Sequence, residues 1–299
     1  MSLKKNNIKD EIVKDFQGNI INRTYKLSFL KKYTITDLHV SKITGTLIPK
    51  EYFSNKKVLN LWNKKFNSNV YSSNSPHFLS RHIYTLETFN RYKDLKNLKV
   101  ADLGCGNGGL IKLLQKMYNP KKIVGFDYNK KNTRNNKKNL QDFKTKFFQN
   151  EILEIDEKKF NKYFDVIFMT WTLSACAEPL KILEKIKKIL KKNGHLVIAE
   201  SSRILVPPTY KIEYYFRYGE KTNTFNDYPW RFSFNSLRNL LLTKNFETKS
   251  YNNFNSNDNL VIVAQSKTES KQKFITDNPK IIKNFFKKWI TFSKKFKTF

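Results

Sequence analysis

The chain has 299 residues, with 57 Lys+Arg against 25 Asp+Glu and a formal net charge of +32. Aromatic residues supply 15% of it, which excludes a disordered chain despite a hydrophobic content of only 39%. No run of about 18 apolar residues marks a membrane-spanning helix, the N-terminus lacks the apolar block of a secretory leader, and the only cysteines, Cys105 and Cys176, exclude a disulfide framework or a four-cysteine zinc site. A cytoplasmic protein is expected.

In chain order, residues 1–75 read as a polar, irregular N-terminal cap, with short aromatic-bearing runs at 25–33 and 58–66. A helix is expected over 76–92, where Phe78, Ile83, Tyr84, Leu86 and Phe89 recur at helical spacing. From Leu98 strands alternate with helices. Strands are expected at 100–103, 123–128, 145–149, 164–169 and 195–200, and helices at 110–117, 130–142 and 178–192, the last stopped by Asn193-Gly194. Single helices between strands imply a parallel sheet covered on both faces. An insert at 203–231 is dense in aromatics, among them Tyr210, Phe216, Tyr228 and Trp230. A helix at 235–243 and strands at 246–251 and 260–265 close the core. Residues 267–299 form a basic amphipathic tail with Ile282, Phe285, Phe286, Trp289, Phe292 and Phe296 on one face.

The charge is a weaker guide than its size suggests. Only eight of the 57 cations are Arg; Lys, Asn, Phe, Ile and Tyr, all with A/T-rich codons, dominate. A biased genome explains much of this, and specific phosphate recognition favours the Arg fork that is scarce here.

The segment Val100-Ala-Asp-Leu-Gly-Cys-Gly-Asn-Gly-Gly109 fits G-x-G-x-x-G at Gly104, Gly106 and Gly109, between a strand and a helix. A dinucleotide would bring its pyrophosphate to this loop, where Asp102, two residues before Gly104, would repel it. A ligand carrying an ammonium and a sulfonium suits that carboxylate. Asp127 ends the next strand, where a carboxylate accepts both ribose hydroxyls of either cofactor.

These residues resemble those of class I S-adenosylmethionine-dependent methyltransferases over about 98–265. The resemblance implies an α/β fold: a Rossmann-like, seven-stranded sheet with helices on both faces, here with an N-terminal cap and an aromatic insert after the fifth strand. It implies S-adenosyl-L-methionine as cofactor. Asp102, Gly104, Cys105 and Gly106 would meet its methionyl end, Asp127 the ribose, Tyr128 the adenine, and Asn150-Glu151 the adenine amino group. Thr170, Trp171 and Thr172 would lie over the sulfonium side. Cys105 reads as a small packed residue rather than a nucleophile.

The fourth strand ends in Phe168-Met-Thr-Trp-Thr-Leu-Ser174 and lacks the Asn-Pro-Pro-Tyr type of motif used on planar amino groups. Residues 228–241 followed by Asn245-Phe246-Glu247 resemble a stretch of methyltransferases acting on sugars and other small metabolites. A small-molecule acceptor, such as a sugar or nucleotide-sugar, is therefore expected, and Arg203, Arg217 and Arg231 favour an anionic one. A hydroxyl or carbon acid needs a base: the candidates are His77, His82, Glu200, Tyr228 and Arg231, with Glu200 best placed at a strand end. RNA is a second partner class, gripped by the basic surface. A third reading is a peripheral membrane or scaffold protein using the tail as an interfacial helix. Such a stripe more often docks on the protein's own core. No spacing of His and Cys suggests a metal site.

Overall fold

The N-terminal region has more order than its composition suggests. Three short strands, β1 (Thr24–Lys26), β2 (Leu38–Ser41) and β3 (Leu47–Pro49), pair antiparallel into a small sheet. Helices α1 (Asn55–Asn67) and α2 (Pro76–Asn90) follow. Strands of three or four residues are too short for an alternating pattern to show, which is why this stretch reads as irregular. The computed structural model of the chain describes residues 24–33, 38–41, 45–49, 55–67, 76–201, 204–206, 211–216, 230–252 and 259–295.

The main body is β4 (Lys99–Leu103), α3 (Gly109–Met117), β5 (Lys122–Asp127), α4 (Lys130–Leu140), β6 (Thr145–Gln149), β7 (Phe164–Thr170), α5 (Pro179–Ile189), β8 (Leu190–Ser201), α6 (Ile212–Phe216), α7 (Phe234–Leu242), β9 (Phe246–Tyr251) and β10 (Asn259–Ser266), closed by α8 (Pro279–Lys295). The seven strands lie in the order β6-β5-β4-β7-β8-β10-β9. The sheet is mixed rather than wholly parallel: β10 runs antiparallel to both β8 and β9. Only seven residues, 252–258, join β9 to β10, fewer than the dozen or so that a parallel crossover needs.

The strands read as continuous apolar runs because both faces are covered. On one face α2 and α3 bring Leu86, Phe89, Leu110, Ile111 and Leu114 against Val100, Phe168 and Val197. On the other, α5 and α7 bring Leu183, Ile186, Leu237 and Leu240 against Ala101, Ile167 and Ile198. The fifth helix stops at Ile189 rather than at Lys192, and β8 begins at once. Tyr163 N–H donates to the Ile189 carbonyl at 2.9 Å and Lys162 N–H to the Lys188 carbonyl at 3.0 Å. The last turn of the helix is thereby drawn into the sheet. Phe164 pairs with Leu190 and Val166 with His195, so Lys191–Gly194 bulge out of the ladder, with Asn193 at φ 58°.

A third core joins segments far apart in sequence. Leu27, Leu30, Val40 and Leu47 of the N-terminal region, Ile204, Ile212 and Phe216 after β8, and Ile282, Phe286 and Trp289 of α8 bury one another. Phe286 stacks on Trp289 at 6.2 Å, and the Ile212 N–H donates to Ser293 Oγ at 2.8 Å. Ile282, Phe286 and Trp289 of the tail's apolar face are thus buried inside the protein, with Phe285 and Phe292 packed partly buried beside them. Phe296 lies outside the described residues.

Candidate active site

Neighbouring connections leave β4 in opposite directions, to β5 on one side and to β7 on the other. In open α/β sheets a ligand crevice opens outside the carboxyl ends of the strands at such a point. The loop after β4 and the turn after β7 form its two lips.

The glycine loop is tied to β5: the N–H groups of Gly104 and Cys105 both donate to the Phe126 carbonyl, at 2.8 and 3.0 Å. Gly104 has φ 74°, and a Cβ there would lie 2.6 Å from Thr172 Oγ1. The two lips touch at this glycine. At Gly106, φ 53°, a Cβ would meet nothing within 4 Å; the loop backbone faces open space where a ligand can approach. Asn136 of α4 holds the loop from behind, its Nδ2 donating to the Gly106 carbonyl at 2.8 Å.

Two buried carboxylates face this space. Asp127 Oδ2 accepts from Gly106 N–H and Oδ1 from Asn129 N–H, both at 2.8 Å. Burial lifts its carboxyl to about 6 against the pull of those bonds. Asp102 is lifted to about 8, first by burial and then by the negative charge of Asp127. Burial and the Asp127 charge push the Tyr128 hydroxyl up as well. Burial and both carboxylates hold the Cys105 thiol far above its ordinary range, so it stays a thiol.

Several buried polar atoms around the crevice have no hydrogen-bond partner: Asp102 Oδ1, the Tyr128 hydroxyl, Trp171 Nε1 and His82 Nδ1. Buried polar groups are ordinarily satisfied, and an unpaired buried carboxylate oxygen two residues before the glycine loop invites a ligand. A cationic ligand end would relieve Asp102. S-adenosylmethionine, with an ammonium and a sulfonium, fits this donor and acceptor set, and a pyrophosphate does not.

After β7, Trp171 holds φ 52°, a conformation rare for an aromatic residue, with its N–H donating to the Ala199 carbonyl at 2.7 Å. The Arg81 guanidinium lies 4.3 Å over the indole and donates to Ser201 Oγ at 2.5 Å. His82 packs edge-on to the same ring at 5.2 Å and against Gly109. Burial and the Arg81 charge depress His82 to about 4. It is neutral at physiological pH and a weak base.

Glu200 ends β8, as expected, but is buried and engaged. Ser174 N–H donates to its Oε1 at 2.9 Å and Ser174 Oγ–H to its Oε2 at 2.6 Å. Burial lifts its carboxyl to about 7 against those bonds and the Arg231 charge. Arg231 itself pairs through its backbone with Leu47, N–H to carbonyl at 3.0 and 3.2 Å in the two directions, so β3 is stitched to the end of the insert. Thr170 is buried beneath Thr172, whose hydroxyl donates to its carbonyl at 3.0 Å. Tyr228, Arg203 and Arg217 lie outside the described residues, as does the side chain of His77 in the first turn of α2.

Away from the acceptor side, a cavity of about 520 Å³ is lined by Tyr128, Gln149, Asn150, Glu151 and Glu154 on one wall and by Lys56, Leu59, Asn60 and Asn63 of α1 on the other. The Asn150 N–H donates to the Asp127 carbonyl at 3.1 Å, and Glu151 precedes a single 3-10 turn over Ile152–Glu154. A family model described as a methyltransferase domain matches residues 94–272.

The chain belongs to that family. It carries a class I S-adenosylmethionine-dependent methyltransferase domain. Among curated proteins it is 28% identical over 146 residues to the demethylmenaquinone methyltransferase of Lactococcus lactis, covering 47% of this chain and 57% of that one. To the ubiquinone biosynthesis O-methyltransferase of Pelagibacter ubique it is 33% identical over 117 residues, covering 38% and 46%. To the tRNA U34 carboxymethyltransferase of Campylobacter lari it is 34% identical over 110 residues, covering 34% and 35%. The chain thus spans about half the length, or less, of the curated relatives it matches. Among solved structures, the 1,6-didemethyltoxoflavin-N1-methyltransferase of Burkholderia thailandensis, bound to S-adenosylhomocysteine, superposes with a TM-score of 0.54 at 13% identity, covering 71% of this chain and 90% of that one. A methyltransferase complexed with the Haloferax volcanii Trm112 activator gives 0.52 at 15% identity, covering 70% and 97%. Both establish the shared fold.

The structure adds residues to this methyltransferase site that the sequence did not single out. Asn129, Asn132 and Asn136 hold Asp127 and the loop from α4; their i, i+3 and i+7 spacing on one helix face was the available signal. Arg81 and Ser174 reach the site only through the tertiary fold.

Proposed function

We propose that the protein transfers a methyl group from S-adenosylmethionine to a small anionic acceptor. The observation that carries the cofactor half is the pair of buried carboxylates, Asp102 and Asp127, beside an open glycine backbone. For the acceptor half it is the core shared by β1–β3, α6 and α8, which we take as a roof on the acceptor side: Leu47 of β3 pairs with Arg231, whose charge acts on Glu200. A roofed site suits a small molecule. A sugar or nucleotide-sugar is the finer reading, supported by the 228–247 segment and by Asn245, whose φ of 56° fits the left-handed turn usually made by glycine.

When bound, S-adenosylmethionine supplies an electrophilic methyl group on a positively charged sulfur. Asp127 orients the ribose, Asp102 faces the cationic end, and the lips at Gly104 and Thr172 exclude water. Arg231 and Arg81 offer positive charge to an anionic acceptor. Glu200, near neutral in its titration, is the group suited to take up a proton. An acceptor proton passes to Ser174 Oγ as the Ser174 hydroxyl proton passes to Glu200 Oε2.

RNA as acceptor is the second reading. It is favoured by the outward face of α8, where Lys280, Lys287, Lys288, Lys294 and Lys295 are exposed and no acid is present on the helix. Transfer of labelled methyl from S-adenosylmethionine to a panel of anionic sugars and nucleotides, against total RNA at physiological salt, separates the two. Label in the RNA alone overturns the small-molecule reading.

A further inference from the structure

We propose that α1, from the N-terminal region, is the second wall of the adenine pocket, so that the family core alone makes an incomplete nucleoside site. The proposal rests on the S-adenosylmethionine reading above. It places α1 over the cofactor rather than over the acceptor.

The cavity at Tyr128 lies beside Asp127, at the nucleoside end of the crevice, and its far wall is Lys56, Leu59, Asn60 and Asn63. These positions fall at i, i+3, i+4 and i+7 of one helix, so a single face of α1 is turned to the cavity. The two walls are chemically complementary. The β6 side offers two carboxylates, Glu151 and Glu154, and the carboxamides of Gln149 and Asn150. The α1 side offers an ammonium and two carboxamides, with Leu59 between them as an apolar surface for a flat ring. An adenine presents one amino donor and several ring-nitrogen acceptors. Acidic groups suit the amino group, and donors from α1 suit the ring nitrogens.

One contact connects α1 directly to the ribose carboxylate. Asn63 Oδ1 accepts from Asn129 Nδ2 at 2.8 Å. With Oδ1 engaged, Asn63 has its Nδ2 donor left to offer. Asn129 is buried; its own Oδ1 accepts from Asn132 N–H at 2.9 Å at the start of α4, and its backbone N–H donates to Asp127 Oδ1 at 2.8 Å. Asn63 therefore holds the residue that holds Asp127. Tyr128, whose hydroxyl is buried and without a hydrogen-bond partner, is a residue of the same lining.

The test uses the full chain and two probes, S-adenosylhomocysteine and 5′-methylthioadenosine, titrated calorimetrically. The second probe keeps the nucleoside and lacks the amino-acid end. Asn63→Ala and Asn60→Ala are expected to weaken both probes by the same factor, about tenfold for Asn63→Ala. Equal binding by variants and parent overturns the proposal, as does a loss confined to S-adenosylhomocysteine. Should a variant fail to fold, hydrogen exchange on the unaltered chain decides. Residues 55–67 gain protection with 5′-methylthioadenosine and none with homocysteine; no gain with either, or an equal gain with both, overturns the assignment. If the unaltered chain binds neither nucleoside probe, the cofactor reading itself falls, a result distinct from loss in the α1 variants alone.

Discussion

The two ends of the crevice are built on different plans. The cofactor end is built on residues 102–151, a continuous β-α-β-α-β run whose loops are fixed by backbone hydrogen bonds, with α1 lining the cavity at its nucleoside side. The proposed acceptor end draws on Leu47, Arg81, Trp171, Ser174, Glu200 and Arg231, far apart in sequence; Leu47, paired with Arg231, belongs to a third core that unites the N-terminal sheet, α6 and α8. The first plan makes a rigid, acidic socket in a strongly basic protein. The second makes a roof whose position depends on packing far from the chemistry. One chain can thus keep a local cofactor socket while the proposed acceptor end draws on segments both inside and outside the matched family region.

The sharpest way to break this division is to loosen the roof alone. Trp289→Ala deletes a fully buried indole, with an expected cost of about 3–5 kcal/mol in unfolding free energy. Affinity for S-adenosylhomocysteine, measured below the lowered melting temperature, is expected to change less than about threefold. A matching collapse of ligand affinity would show that the two ends are one unit.

Asp127→Ala removes the carboxylate that takes the ribose hydroxyls, and S-adenosylhomocysteine should bind about a hundredfold more weakly. On the acceptor side, Glu200→Gln keeps an oxygen for Ser174 but cannot take up a proton. It should lower kcat about a hundredfold and leave cofactor affinity unchanged; a kcat within threefold of the parent removes Glu200 from proton transfer.

The glycines sharpen the cofactor end itself. Gly104→Ala drives a Cβ into Thr172 and is expected to cost stability, about 1–3 kcal/mol with the strained φ included. Gly106→Ala meets open space, so its stability loss should be the smaller, while it blocks the ligand's approach to the loop. Equal binding losses with equal melting shifts would contradict that distinction.

The smallest effect is a slope with pH. Asp102 at about 8 and Asp127 at about 6 stand above the ordinary carboxylate value. Between pH 4 and 8 the folded chain therefore holds protons that the unfolded chain has lost, and these groups make ligand-free stability fall as pH rises. Asp102→Asn should flatten that fall in melting temperature between pH 5 and 8. A cationic ligand favours ionised Asp102, so its affinity should rise with pH up to about 8 and level off above.

How much was legible follows the same division. The run from Lys99 to Gln149 could be read because each element is local: apolar strands, a glycine loop, and carboxylates at strand ends. Asp102, Asp127 and Glu200 sit where their strand positions put them. β1–β3 are not legible because strands of three or four residues carry no period, and α1 because its cavity-facing residues are Lys, Leu and Asn rather than a hydrophobic stripe. The early end of α5 reflects competition from Lys162 and Tyr163, just before β7, for its last carbonyls, a tertiary effect that the local Asn193-Gly194 signal does not contain. The burial of the α8 stripe by Leu30, Ile212 and Phe216 is likewise set by the tertiary fold, since an amphipathic pattern does not name what covers it.

The central claim is that the acidic socket takes S-adenosylmethionine and not a dinucleotide. It is tested most directly by calorimetric titration of S-adenosylhomocysteine and, separately, NAD into the full chain, with Asp127→Ala as control. Micromolar binding of S-adenosylhomocysteine, loss of that binding in the variant, and no heat from NAD are expected. Tight binding of NAD, or S-adenosylhomocysteine binding indifferent to Asp127, would contradict it.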